Sequence, residues 1–174
     1  VDDEAALTKT VEDWNEWAGR CTYQGPYRDE VVRSLVTLKA LTYRPTGGTV
    51  AAATTSLPEA MGGVRNWDYR YCWLRDAAFM LLAFVHGGYA EEAAAWRDWL
   101  TRALAGEPGD AKPLYALDGN QGILEWSADW LSGFNGSSPV RIGNGAHDQL
   151  QIDVFGEVID AFYLARRAGL DGHE

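Results

Sequence analysis

Residues 66–77 read NWDYRYCWLRDA, with rings at Trp67, Tyr69, Tyr71 and Trp73 interleaved with Asp68, Arg70 and Cys72, and the pair Arg75-Asp76 opening an apolar segment. An indole or phenol offers an apolar face on which the C–H side of a pyranose stacks, whereas the hydroxyl rim of a sugar needs paired donors and acceptors. A guanidinium supplies a rigid donor fork, and a carboxylate accepts from two neighbouring hydroxyls. Trp73, Arg75 and Asp76 together therefore suit a carbohydrate. The competing reading is core packing, since large rings dominate protein interiors. Burying four alternate rings would leave Asp68 and Arg70 on the opposite face and put two charges at the mouth of a buried helix, where an unpaired charge is costly. Both readings stand on the residues alone.

Other chemistry-bearing residues offer less. His147-Asp148 reads as a helix cap, and His86 near a helix C-terminus reads as a partner of the helix dipole. Asp153, Glu157 and Asp160 at helical spacing read as a solvated or interhelical face. No metal and no cofactor are expected. Cys21 and Cys72 lack the paired spacing of a zinc site and are too few for a disulfide framework, so both read as thiols.

The elements that must hold these residues are mostly helical. Apolar positions at 3.6-residue spacing predict helices over 2–19, through Leu7, Val11, Trp14 and Ala18, and over 28–43, through Val31, Leu35 and Leu38. A third, over 76–85, has no polar face and demands cover on every side. The fourth, 90–105, is amphipathic and reads as an outer helix, and a fifth spans 148–168 before Gly169. Period-2 alternation makes 65–71 extended, while 106–146 reads as loop with at most a helical turn at 124–130. That long loop carries Tyr115, Trp126, Trp130, Phe134 and Arg141, as a binding segment would. The expectation is an all-α fold in which inner and outer helices alternate in concentric layers.

Composition narrows the partners. A length of 174 residues suits a single domain, 1–174, with a core of its own. The formal charge of −10 and the scattered Lys and Arg give no footprint for nucleic acid, and they disfavour anionic membranes. No apolar run is long enough to span a bilayer, so a soluble, cytoplasmic protein is expected.

The run at 66–77, followed along the chain by WLSGFNGSSPVRIGN at 130–144 and DVFGEV at 153–158 and preceded by TTSLPE at 54–59, resembles the N-terminal part of the catalytic domain of bacterial glycoside hydrolase family 15. That family includes glucoamylases, glucodextranases and trehalases. The resemblance implies about the first half of an (α/α)6 barrel and inverting hydrolysis of a terminal α-linked glucose, glucoamylase-like first, with an α,α-trehalase or a dextran-type glucohydrolase as the alternatives. It implies that Arg75 and Asp76 hold hydroxyls of the non-reducing glucose, that Trp73 supports the pocket, that Tyr69 lies near the reacting sugar, and that Arg141 lines the wall. Inverting glycosidases use two carboxyl groups roughly 6.5–9.5 Å apart. The family's pair is expected beyond Glu174, so no catalytic residue is assigned within the chain and the chain alone is expected to be inactive. A non-catalytic carbohydrate-binding or assembly protein is the reading from another class. A partial barrel would also expose an apolar wall and favour self-association.

Overall fold

In the computed structural model, which describes residues 2–106 and 108–170, the α1 helix Asp3–Gly19 starts where Asp2 accepts a hydrogen bond from the Ala5 amide. It is followed by α2, Arg28–Ala40, α3, Leu74–Gly87, α4, Ala90–Ala103, and α5, Asp153–Arg167. The helix ends follow local chemistry. Asp76 sits in the first turn of α3 and Asp153 in that of α5, where the helix dipole favours anions, and Arg166 and Arg167 occupy the last turn of α5. Gly88 closes α3 in the left-handed region that a β-carbon disfavours.

The α3 helix is the hub and packs against α2, α4 and α5. Its Leu74, Ala77, Ala78, Leu81 and Phe84 share one cluster with Trp96, Trp99 and Leu100 of α4 and Val154, Ala161 and Ala165 of α5. Each large side chain so buried contributes about 1.5–3 kcal/mol of transfer free energy. Cover is not complete among the described residues, because Phe79 is 63% exposed. The α4 helix is amphipathic as its pattern implies, with Glu92, Ala93, Trp96, Trp99 and Leu100 buried and Glu91, Asp98 and Arg102 exposed. In α1 the expected apolar stripe is open at Leu7 and Val11, and only Trp17 is buried.

Strands correct the all-α expectation. Three two-stranded antiparallel ribbons pair β1, Thr55–Pro58, with β2, Asn66–Asp68; β3, Cys72–Trp73, with β4, Leu114–Tyr115; and β5, Trp126–Ser127, with β6, Arg141–Ile142. β2 lies within the run 65–71 that alternation marks as extended, whereas the other pieces, of two to four residues, are too short to show a period, and their partners lie across turns or distant loops. The turn expected near 124–130 is thus β5. The last helix begins at Asp153 and not at 148, because Gly145–Asp148 forms a separate 3-10 turn in which the Ala146 amide donates to the capping side chain of Asn144. The architecture is a helical layer bearing a set of short ribbons, and the ribbons carry the residues of chemical interest.

Candidate functional site

The segment 66–73 inverts the expected pattern of burial. Asn66 and Asp68 point inward with no exposed surface, while Tyr69 is 40% exposed and Arg70 lies outside. A buried carboxylate needs every lone pair occupied, and Asp68 is so provided. Its Oδ1 accepts from the Arg70 amide at 3.1 Å and Nε at 2.9 Å, and its Oδ2 accepts from Arg70 Nη2 at 2.9 Å and the Gly143 amide at 3.1 Å. The Asp68 carbonyl accepts from Asn144 Nδ2 at 3.1 Å. The hydrogen bond to Asp68 raises the Arg70 guanidinium further above its already high value, and burial raises the Tyr71 phenol. Burial also pushes the Cys72 thiol up to about 12, which leaves it protonated and inert.

Trp73 is buried and packs with Leu114 and Ile123, with Ala146 and Tyr71 against that cluster. The Tyr69 ring meets the Trp73 ring at 5.7 Å between centroids, tilted by 49°. Beyond Trp73 lies a cavity of about 270 Å³, lined among others by Leu41, Thr49, Ala51, Trp73, Asp76 and Phe79. The Asp76 side chain is 55% exposed at this opening. Arg75 lies beside Asp76, Nη2 to Oδ2 at 3.8 Å, and its Nη1 donates to Asp153 Oδ2 at 3.1 Å. Asp153, read from sequence as one of a helical face of acids, thus ties the guanidinium to α5; nothing in its spacing distinguishes it from Glu157 or Asp160.

Arg141 does not line this cavity. Its guanidinium carbon lies 4.5 Å from the centre of the Trp67 ring, Nη1 donates to the carbonyls of Val64 at 2.8 Å and Asn66 at 3.3 Å, and Nε faces Glu125 at 3.4 Å. Its own amide donates to Ser56 Oγ at 2.7 Å. With its donors so engaged, Arg141 fastens β6 to the β1–β2 ribbon. The structure thus brings Trp73 and Asp76 together on one cavity, sets Tyr69 against the Trp73 ring but not in the cavity lining, keeps Arg75 beside Asp76, and sets Arg141 to a fastening position. Glu125 Oε2 accepts from the Gly145 amide at 3.0 Å, so the turn 143–145 is held between two carboxylates. Gly143 has φ +80, and a β-carbon there would overlap the Leu124 carbonyl oxygen.

A second aromatic feature stands on the ribbon formed by β5 and β6. Trp126 and Trp130 stack with centroids 5.7 Å apart and planes 29° apart, and both are exposed. No group of three or more metal-ligating side chains occurs among the described residues, and none of the described helices is long and apolar enough to cross a membrane.

Comparison with known proteins converges on one family. The model of glycosyl hydrolases family 15 matches residues 25–173. A trehalase of Thermoplasma acidophilum is 44% identical over 163 residues, covering 94% of this chain and 28% of that protein. A trehalase of Mycobacterium tuberculosis is 41% identical over 168 residues, covering 93% of this chain and 25% of its own length. Trehalase 1 of Sulfolobus acidocaldarius is 47% identical over 140 residues, covering 78% and 25%. The chain therefore spans about a quarter of the length of these relatives. No solved structure matches.

Proposed function

The chain belongs to glycoside hydrolase family 15, and from that premise we propose that it is the sugar-gripping part of an α,α-trehalase, a glycosidase whose substrate contains glucose. The names of the relatives favour trehalose over the glucoamylase-type substrate that the sequence alone puts first. In this reading the helices contribute to a toroid of alternating inner and outer helices, and the carboxyl pair that protonates the leaving oxygen and activates water comes from chain beyond the segment described. The acids within it have another task.

The observation that carries the reading is the placement of Asp76 at the opening of the cavity walled by Trp73, with Arg75 steadied beside it by Asp153. A terminal glucose lying against Trp73 would give two hydroxyls to the Asp76 carboxylate and accept from the Arg75 fork. Such contacts accelerate hydrolysis to the extent that they tighten as the ring flattens toward an oxocarbenium-like state. Tyr69 supports the Trp73 ring, and the Trp126–Trp130 stack offers a further face for sugar. The test is hydrolysis of trehalose, maltose and isomaltose by the protein that carries this chain with the remainder of a family 15 catalytic region. Trehalose should be the preferred substrate, and Asp76→Ala should reduce kcat/KM on it by roughly a hundredfold or more, the size expected for loss of charge-assisted hydrogen bonds strengthened in the transition state. Activity within threefold of the parent would contradict the assignment of the grip.

A further inference from the structure

We propose that Asp68 is a positioning residue of the sugar site, acting through the turn 143–146 and not by touching substrate. The inference rests on the reading of Trp73 and Asp76 as the sugar grip, and adds to it a part that the family match does not assign.

The argument begins with desolvation. A carboxylate with no exposed surface is stable only when its oxygens are saturated, and the Asp68 carboxylate accepts four bonds from two sources. Arg70, two residues away, supplies three of them and neutralises the charge. The fourth comes from the Gly143 amide, 75 residues on, and this long-range bond is what the local pair is arranged to make. Next to it, Asn144 donates to the Asp68 carbonyl and with its own oxygen accepts from the Ala146 amide. Ala146 in turn packs on the cluster of Trp73, Leu114 and Ile123. A continuous path therefore runs from Asp68 through Gly143, Asn144 and Ala146 to the indole that walls the cavity.

On that side the turn at 143 is fastened by the carboxylate and the carbonyl of Asp68. Its left-handed Gly143 lies against Leu124, and Glu125 holds the Gly145 amide from the opposite side. In Asp68→Asn one carboxylate oxygen becomes an NH2 donor, which costs either the bonds from Arg70 N and Nε or those from Arg70 Nη2 and the Gly143 amide, according to how the side-chain amide is turned. Two of the four bonds are lost and the neutral side chain no longer balances Arg70, so the 143–146 turn shifts on the back of Trp73 while Asp76 and the catalytic carboxyl groups keep their chemistry. The effect belongs in binding more than in turnover.

The experiment is steady-state hydrolysis of trehalose by the protein carrying this chain with the remainder of a family 15 catalytic region, comparing Asp68→Asn, Asn144→Asp and Asp76→Ala with the parent, well below each thermal midpoint. Asn144→Asp keeps the acceptor for Ala146 and loses the donor to the Asp68 carbonyl, and so tests the same path if Asp68→Asn fails to fold. Expected are a rise in KM of about tenfold for Asp68→Asn and about threefold for Asn144→Asp, with kcat within threefold of the parent. Folded variants that lose thermal stability but keep KM within twofold, while Asp76→Ala loses roughly a hundredfold or more in kcat/KM, would overturn the positioning role and leave the grip intact. An Asp76→Ala variant within threefold of the parent would instead overturn the grip on which this role rests.

Discussion

Two buried carboxylates, Glu92 among the helices and Asp68 among the ribbons, solve one problem in different ways. Glu92 accepts from Trp17 Nε1 at 2.7 Å and Lys39 Nζ at 2.9 Å, so its partners are side chains on α1 and α2 and its bonds fasten helices to α4. Asp68 takes half of its bonds from backbone amides, and fastens loops. A side-chain partner can be replaced by another packing arrangement at moderate cost. A backbone partner ties the carboxylate to the path of the chain itself. The helical anchor should therefore govern stability, and the ribbon anchor the shape of the site.

The largest expected effect tests the helical side. Trp17 stacks on Tyr89 at 4.1 Å between centroids as well as donating to Glu92, so Trp17→Ala should lower unfolding free energy by about 3–5 kcal/mol in denaturant titrations. Next, Glu92→Gln, which weakens two charge-assisted bonds without opening a cavity, should cost about 1–3 kcal/mol and leave sugar affinity unchanged. If it raised KM as Asp68→Asn is expected to, the distinction between the two anchors would collapse. A smaller effect concerns acid. Burial pushes the Glu92 carboxyl up, but the hydrogen bonds from Lys39 and Trp17 outweigh it and hold the group below its ordinary value of 4.5. Its stabilisation is then fully present above that ordinary value and is lost as pH falls through the lower folded one. Tryptophan fluorescence followed down to about pH 3 should report loosening of α1 in the parent and a flatter profile in Glu92→Gln. The smallest is Asp153→Asn, which removes a half-exposed ion pair and should change stability by less than about 1 kcal/mol.

Legibility in the sequence divides along the same line. The α3 helix was readable because 77–85 is an unbroken apolar run that opens on Asp76, an acid suited to a helix N-terminus, and that Gly87-Gly88 ends. Trp73, Arg75 and Asp76 were legible from residue chemistry and Tyr69 from the family strings, because rare residues in one order are specific. The direction in which Asp68 points was not readable. Alternation says that neighbours face opposite ways but not which way, and the default that rings go inside and charges outside fails where Arg70 and Gly143 stand ready to saturate a carboxylate. The fastening role of Arg141 was hidden for a related reason. Its partners are carbonyls of Val64 and Asn66, and carbonyls carry no residue-type signal. The exposure of Leu7 and Val11 shows the converse, that a clean apolar stripe states what a helix can bury, not what it buries.

The cramped bend at Gly143 has an implication for protein engineering. A saturation library at that codon should return only the parental amino acid, however lenient the selection, since any substituent would collide with Leu124 and the torsion there punishes L-configured replacements. Redesign of substrate preference is better begun at the Trp126–Trp130 face, where solvent leaves room for change.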